Sequence, residues 1–233
     1  MARGDTVMRI PARKTDLDGN AVFGFTCNQC LNCCHHKKIQ VNPYEIARIA
    51  ETLGITTTEC IALYTTGNGS YLKFREDATC PFLDTRGCTI HAVRPLVCRL
   101  YPLSRHVSDT GHEWFSELQP QKNCTGIYLG QGSIRTYINE QNAEAYMQAA
   151  DCYLNMLWKM MAMLENLVAD VEEQPHGQHP DDAIGVHTEY SNWMDMDVVV
   201  DRYCQIRQTA FPDDIDEKMR MHLDALYFWI NNA

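Results

Sequence analysis

No apolar stretch of this chain approaches the roughly 18 residues that a membrane span needs, because Lys159 and Glu165 interrupt the best candidate. The opening run Met1-Ala2-Arg3-Gly4-Asp5-Thr6-Val7-Met8-Arg9-Ile10 has no apolar core of a signal peptide. The expectation is therefore a cytoplasmic protein in reducing surroundings, with no membrane span. Basic residues are also few: 20 Lys and Arg stand against 30 Asp and Glu, and they are scattered rather than striped, so nucleic acid is not the expected partner. Internal repeats and low-complexity segments are absent. Catalytic constellations are missing too, since no Ser/His/Asp set or carboxylate pair is recognisable from spacing. The run Gly126-x-x-x-Gly130-x-Gly132 follows no clear strand of a βαβ unit and is no dinucleotide or S-adenosylmethionine loop.

What the chain does have is cysteine, 11 in 233 residues. An odd number fits a disulfide framework poorly, and in a reducing compartment a dense cysteine run more often binds metal. Cys27-Asn28-Gln29-Cys30-Leu31-Asn32-Cys33-Cys34 packs four thiols into eight residues, and Cys80, Cys88, Cys98 and Cys124 follow. Two intervening residues let both thiolates of a CxxC unit reach one ion, and soft thiolates select zinc, Cu(I) or iron–sulfur clusters. Cys27, Cys30 and Cys33 match the C-x2-C-x2-C triplet of bacterial ferredoxins, and Cys80-Pro81 is similar to the distal ligand of such sites. Adjacent side chains usually diverge, which assigns Cys34 to a second site or leaves it free. Eight cysteines is the number that two all-cysteine sites require, whether two 4Fe–4S clusters or two structural zincs. Cys60, Cys152 and Cys204 fall on or near apolar helix faces and read as small core hydrophobes. His35, His36 and His91 read as surface or packing residues, and His176, His179 and His187 as solvated loop residues. Arg94 and Arg99 flank Cys98, where they either donate to cluster sulfurs or form structural salt bridges.

Charge is uneven along the chain. Residues 171–233 hold 13 Asp and Glu against 4 Lys and Arg, whereas residues 27–105 hold 9 Lys and Arg against 6 Asp and Glu. A basic setting lowers thiol pKa and offsets the charge of a thiolate–metal site.

The periodicity predicts a mostly helical α+β fold: a small, metal-organised cysteine-rich domain over residues 1–132 and a helical extension over 133–233. Residues 1–26 read as an extended lead-in. Helices are expected from Asn42, which caps Pro43, to Gly54, and from the capping-box spacing Thr56 to Glu59 through Tyr64. Further helices are expected at 133–141, 143–171, 193–208 and 214–231, with a polar loop at 172–190. Tyr71–Arg75 and Trp114–Leu118 alternate as short strands, too little for a substantial sheet, and residues 80–110 read as loops and helical turns. Trp193, Tyr227, Phe228 and Trp229 are expected to bury against the long helix near Leu157 and Met161.

The motif as a whole, CxxCxxCC with Cys80-Pro81-Phe82-Leu83, Gly87-Cys88-Thr89-Ile90-His91, Arg94-Pro95, Cys98-Arg99-Leu100-Tyr101-Pro102 and Cys124-Thr125-Gly126, closely resembles the CxxCxxCC cysteine-cluster family over roughly residues 23–150. Its members are described as zinc- or iron-chelating proteins, some of them named flagellin lysine methylases. The resemblance implies that Cys27, Cys30, Cys33, Cys34, Cys80, Cys88, Cys98 and Cys124 are all metal ligands. Thr125 stands where members often have Pro. The functional expectation is an iron–sulfur protein with two 4Fe–4S clusters, acting in electron transfer or as a redox accessory to a protein partner. A zinc-binding structural protein and, from the family's naming alone, a protein-lysine methyltransferase are the alternatives.

Overall fold

The computed structural model describes residues 12–172 and 192–232, the side chains of 164–172 excepted. The expected polar loop, with His176, His179 and His187, lies outside the described residues. The fold is mixed α+β, with helix outweighing strand at 44% to 18% of the described residues. Two compact units divide the chain: Met1–Lys37 with Leu96–Glu144, and Lys38–Pro95 with Ala145–Ala233.

The first unit carries more sheet than the sequence suggests. Strands β1 (Ala12–Leu17), β7 (Leu103–Val107) and β8 (Glu113–Leu118) form an antiparallel sheet in the order β1-β8-β7. The lead-in thus contributes an edge strand, and the expected loop region 80–110 ends in another. A buried charge explains the docking of β1: Glu117 is only 2% exposed, and Arg13 and Lys14 reach its carboxylate at 2.9 and 3.0 Å. A two-stranded ribbon, β2 (Phe25–Thr26) against β9 (Ile127–Tyr128), completes the unit with α3 (Leu96–Leu100) and α4 (Ile134–Glu140). Its core is aromatic. Phe23 meets Tyr137 edge-on at 4.9 Å and Phe25 meets Tyr128 at 5.2 Å, while the Tyr137 hydroxyl donates to the Tyr101 carbonyl.

The second unit is helical. In α1 (Pro43–Leu53) the full Asn42/Glu45 capping box is present, and Gly54 closes the helix in the left-handed region. Thr56 and Glu59 cap α2 (Thr57–Tyr64) in the same way. Gly67, Asn68 and Gly69 turn the chain between β3 (Thr65–Thr66) and β4 (Tyr71–Leu72); at Gly69 any Cβ would press on Met194 at 2.8 Å. The expected strand Tyr71–Arg75 is therefore only two residues long. A second short hairpin pairs β5 (Leu83–Asp84) with β6 (Gly87–Cys88). Helices α5 (Glu144–Glu172), α6 (Met196–Arg207) and α7 (Ile215–Ile230) close the unit.

Acidic residues of the tail work as caps here. Asp195 begins α6 and accepts from the hydroxyls of Thr57 and Thr58 at 2.6 Å each, while Asp197 accepts the Thr57 backbone N–H at 2.8 Å and pairs with Lys218. Two of the four tail aromatics meet α5: Trp193 lies against Tyr153, earlier than expected, and Tyr227 against the Lys159 ammonium, between Leu157 and Met161. Phe228 packs on Tyr203 and Trp229 under Arg202, and Met161 is 56% exposed.

His222 is wholly buried at this junction. Its Nε2 donates to the Trp193 carbonyl at 2.9 Å, which leaves Nδ1 to accept from the Tyr153 hydroxyl at 3.0 Å. Burial pushes its pKa down from 6.5 to about 3, against the pull of the Trp193 carbonyl. The unfolded chain therefore binds a proton between pH 6.5 and about 3 that the folded chain refuses. The contribution of His222 to stability is full above pH 6.5 and declines as pH falls toward about 3, at up to about 1.4 kcal/mol per unit. Urea titrations across this range should show a shallower acid slope for His222→Gln than for wild type; parallel slopes would contradict a buried neutral imidazole.

Candidate metal centre

The β2–β9 ribbon brings the distant cysteines of the first unit together. Phe25 pairs with Tyr128 and Thr26 with Ile127, so Cys27 leaves one strand beside the place where Gly126 enters the other. Gly126 lies flat against the Phe25 ring, where any Cβ would collide, and Gly132 (φ +88°) carries the carbonyl that Phe23 N–H reaches. These glycines shape the ribbon. Two asparagines of the cysteine run then fasten the loops. Asn28 Nδ2 donates to the Thr125 carbonyl and Asn32 Nδ2 to the Asn123 carbonyl, both at 2.7 Å.

The loop is tightly turned. Gln29, Leu31, His36 and Asn123 all have positive φ, between 50° and 67°, at non-glycine residues adjacent to or two positions from a cysteine. Such conformations cost about 1–3 kcal/mol each and persist where the surroundings or a function demand them. Leu31 launches a 3-10 turn over Asn32–Cys34, and the Cys34 N–H closes it on the Leu31 carbonyl at 2.8 Å. This turn corrects one expectation: the thiols of Cys33 and Cys34 do not diverge but hydrogen-bond to each other.

The thiols meet in pairs. The bond from Cys34, aided by the backbone N–H of Cys33 and the Lys37 ammonium, outweighs burial and brings the Cys33 thiol down to about 7. Burial raises the pKa of Cys30, but bonds from the Thr125 and Asn32 backbone, the Cys124 thiol and the Thr125 hydroxyl prevail and lower it. Cys124 goes the other way, pushed up by burial and by the charge and hydrogen bond it shares with Cys30, while the Gly126 N–H reaches its sulfur at 3.4 Å. Cys98, half-buried on α3, feels the same Lys37 ammonium as Cys33. Cys27 is exposed.

Cys80 and Cys88 belong to the second unit, at the β5–β6 hairpin. The Cys80 carbonyl accepts the Leu83 N–H at 3.1 Å, Cys88 pairs with Leu83, and Arg75 holds the Pro81 carbonyl at 2.9 Å. Here too the backbone turns left-handed, at Ala78 (φ +60°) and Gly87 (φ +121°). Arg99 is buried and donates to the Gln141 carbonyl at the end of α4; Arg94 donates to the His91 carbonyl. None of the eleven cysteines forms a disulfide. Cys60 and Cys204 are buried, as expected of core residues, and Cys152 is half-buried.

Among the described residues no three His, Cys, Asp or Glu side chains stand together at ligand spacing. The donor set nevertheless fits a soft metal: it consists of thiols, two of them biased toward thiolate, with backbone N–H groups directed at their sulfurs. Asn28 and Asn32 were not visible as site residues in the sequence; the only signal was that polar amides fill the gaps of the CxxCxxC run.

A family model for the CxxCxxCC domain, described as "Putative zinc- or iron-chelating domain", matches residues 26–125. An uncharacterized protein of Methanocaldococcus jannaschii is 30% identical over 136 residues, which is 57% of this chain and 73% of that protein. The chain belongs to the CxxCxxCC family. No solved structure matches it. Among the described residues no helix is long and apolar enough to cross a membrane.

Thiolate, not thiol, is the nucleophile in alkylation. In metal-free protein, iodoacetamide should modify Cys33 with a half-maximal rate near pH 7, because its thiol titrates there. Cys60, which burial alone pushes up to about 12, should resist. Peptide mapping that found Cys60 modified as fast as Cys33 at pH 7 would contradict this ordering of the two thiols.

Proposed function

We propose that the chain is an iron–sulfur protein whose ligands are Cys27, Cys30, Cys33, Cys34, Cys80, Cys88, Cys98 and Cys124, enough thiolates for two 4Fe–4S clusters. It serves electron transfer, or acts as a redox accessory to a protein partner, in the cytoplasm. One observation carries the reading: the thiol of Cys30, in the middle of the C-x2-C-x2-C triplet, hydrogen-bonds to the chain-distant Cys124. A close-spaced triplet joined by a distal cysteine is the way a polypeptide cradles a 4Fe–4S cluster, whereas structural zinc usually draws on two separated CxxC knuckles. Within the first unit that distal thiol comes from Cys124; Cys80, the residue suggested by its following proline, sits in the second unit.

When bound, the cluster supplies one-electron chemistry. The chain's own residues do the rest. N–H groups of Thr125, Asn32 and Gly126 directed at sulfur stabilise negative charge there, which favours the reduced state. Aromatic packing of Phe25, Tyr101 and Tyr128 behind the loop limits water on one side.

Protein purified without oxygen should be brown, with broad visible absorption, iron and sulfide in equal amounts, and an EPR signal after reduction. Colourless protein carrying stoichiometric zinc after the same handling would overturn the iron–sulfur reading in favour of a structural zinc protein.

A further inference from the structure

Lys37 follows the cysteine run directly, and its ammonium is half-buried without an ion-pair partner of the usual kind. Among the described residues no carboxylate pairs with it. Instead it stands 5.8 Å from the centre of the Tyr101 ring, and the Gln121 amide lies 2.9 Å from Nζ; in the amide orientation that satisfies both neighbours, its oxygen accepts from Nζ and its nitrogen donates to the Asn32 carbonyl. Both holders are tied to the cysteine loops. The Gln121 N–H donates to the Tyr101 hydroxyl at 3.0 Å, the Gln121 carbonyl accepts the Cys124 N–H at 2.9 Å, and Tyr101 follows α3, which carries Cys98. An ammonium removed from water and given only a ring face and an amide oxygen lacks compensating charge. The groups whose charge acts on it once they ionise are the thiols of Cys33, four residues before it, and Cys98, on α3 next to Tyr101.

We infer that Lys37 is the counter-charge of the thiolate site: held over Tyr101 by Gln121, its ammonium offsets the negative charge that Cys33 and Cys98 carry when they ligate metal. This rests on the metal–thiolate reading. A divalent ion bound by four thiolates keeps a net charge of about −2, and a 4Fe–4S cluster with four cysteines is likewise an anion, so a fixed cation beside the sulfurs strengthens binding of either. The same placement makes Cys33 and Cys98 members of one electrostatic group, a grouping that cysteine spacing does not provide. Lys38 serves as an internal comparison. It is the neighbouring cation in sequence, but it lies 4.2 Å over the Tyr71 ring.

The test uses the full chain, stripped and reloaded with zinc alone, with retention measured against a chelator at low salt and at about 1 M salt, where the screening length falls to about 3 Å. Lys37→Met keeps the aliphatic stem and removes the charge; Lys37→Arg keeps the charge. Lys37→Met should lose zinc about tenfold more readily than wild type at low salt, the size of effect that residues behind metal ligands usually have, with a smaller gap at high salt. Lys37→Arg should recover most of the loss, and Lys38→Met should match wild type. Melting of the metal-free variants monitors folding, which a purely structural lysine would disturb. If wild type takes up zinc and Lys37→Met holds it as tightly, or if Lys37→Arg fails as badly as Lys37→Met at both salt concentrations, the counter-charge role is wrong. If wild type takes up no zinc and, purified without oxygen, carries no iron, the metal reading itself fails.

Discussion

Two residue pairs, Phe25 with Tyr128 and Thr26 with Ile127, set the constraint on which the rest of the first unit depends. They close a loop of about a hundred residues and deliver the cysteine run and the Cys124 turn to the same end of one ribbon. Two hydrogen-bonded pairs of residues cannot hold such a closure alone. The aromatic cluster beneath the ribbon, the close fit of Gly126 on Phe25 and the two asparagine bonds across 97 and 91 positions of chain supply the remainder. Loop-closure entropy grows only slowly with length, so these contacts suffice where a closed core would be lacking.

At the mouth of the ribbon the balance is different. Four left-handed non-glycine residues and several half-buried thiols gather where the hydrophobic packing ends. Strain and desolvation both oppose folding there, and hydrogen bonds between thiols offset only part of that. A metal ion would reverse this balance, because free energy of binding to a site absent from the unfolded chain is free energy of folding. The arrangement of paired thiols, biased charge states and amide donors is thus coherent as a site that ligation completes.

Much of the fold could be read from the chain, and the exceptions have physical causes. Helix ends were legible where a side chain closes them, as at Asn42, Thr56 and Gly54, since capping is local chemistry. Strand β1 was not, because Ala12-Arg13-Lys14-Thr15-Asp16-Leu17 has no apolar alternation; its attachment depends on Glu117, a hundred residues away. Hairpin strand β7 was hidden for a similar reason. The cysteines announced a soft metal through their number and spacing, yet spacing said nothing of the fastening role of Asn28 and Asn32. Nor could it reveal that a tight turn makes Cys33 and Cys34 touch. The acidity of the tail was plain from composition, but not that Asp195 and Asp197 direct their charge at helix N-termini and at Lys218. Neither compact unit is continuous in sequence, and a composition boundary near residue 133 carries no information on that.

The proposed site is made of thiolates alone, with His35, His36 and His91 outside it. X-ray absorption at the metal edge of the loaded protein addresses this directly. The prediction is a nearest shell made of sulfur alone, with iron neighbours beyond it. A shell containing nitrogen or oxygen at imidazole or carboxylate distances would contradict the account.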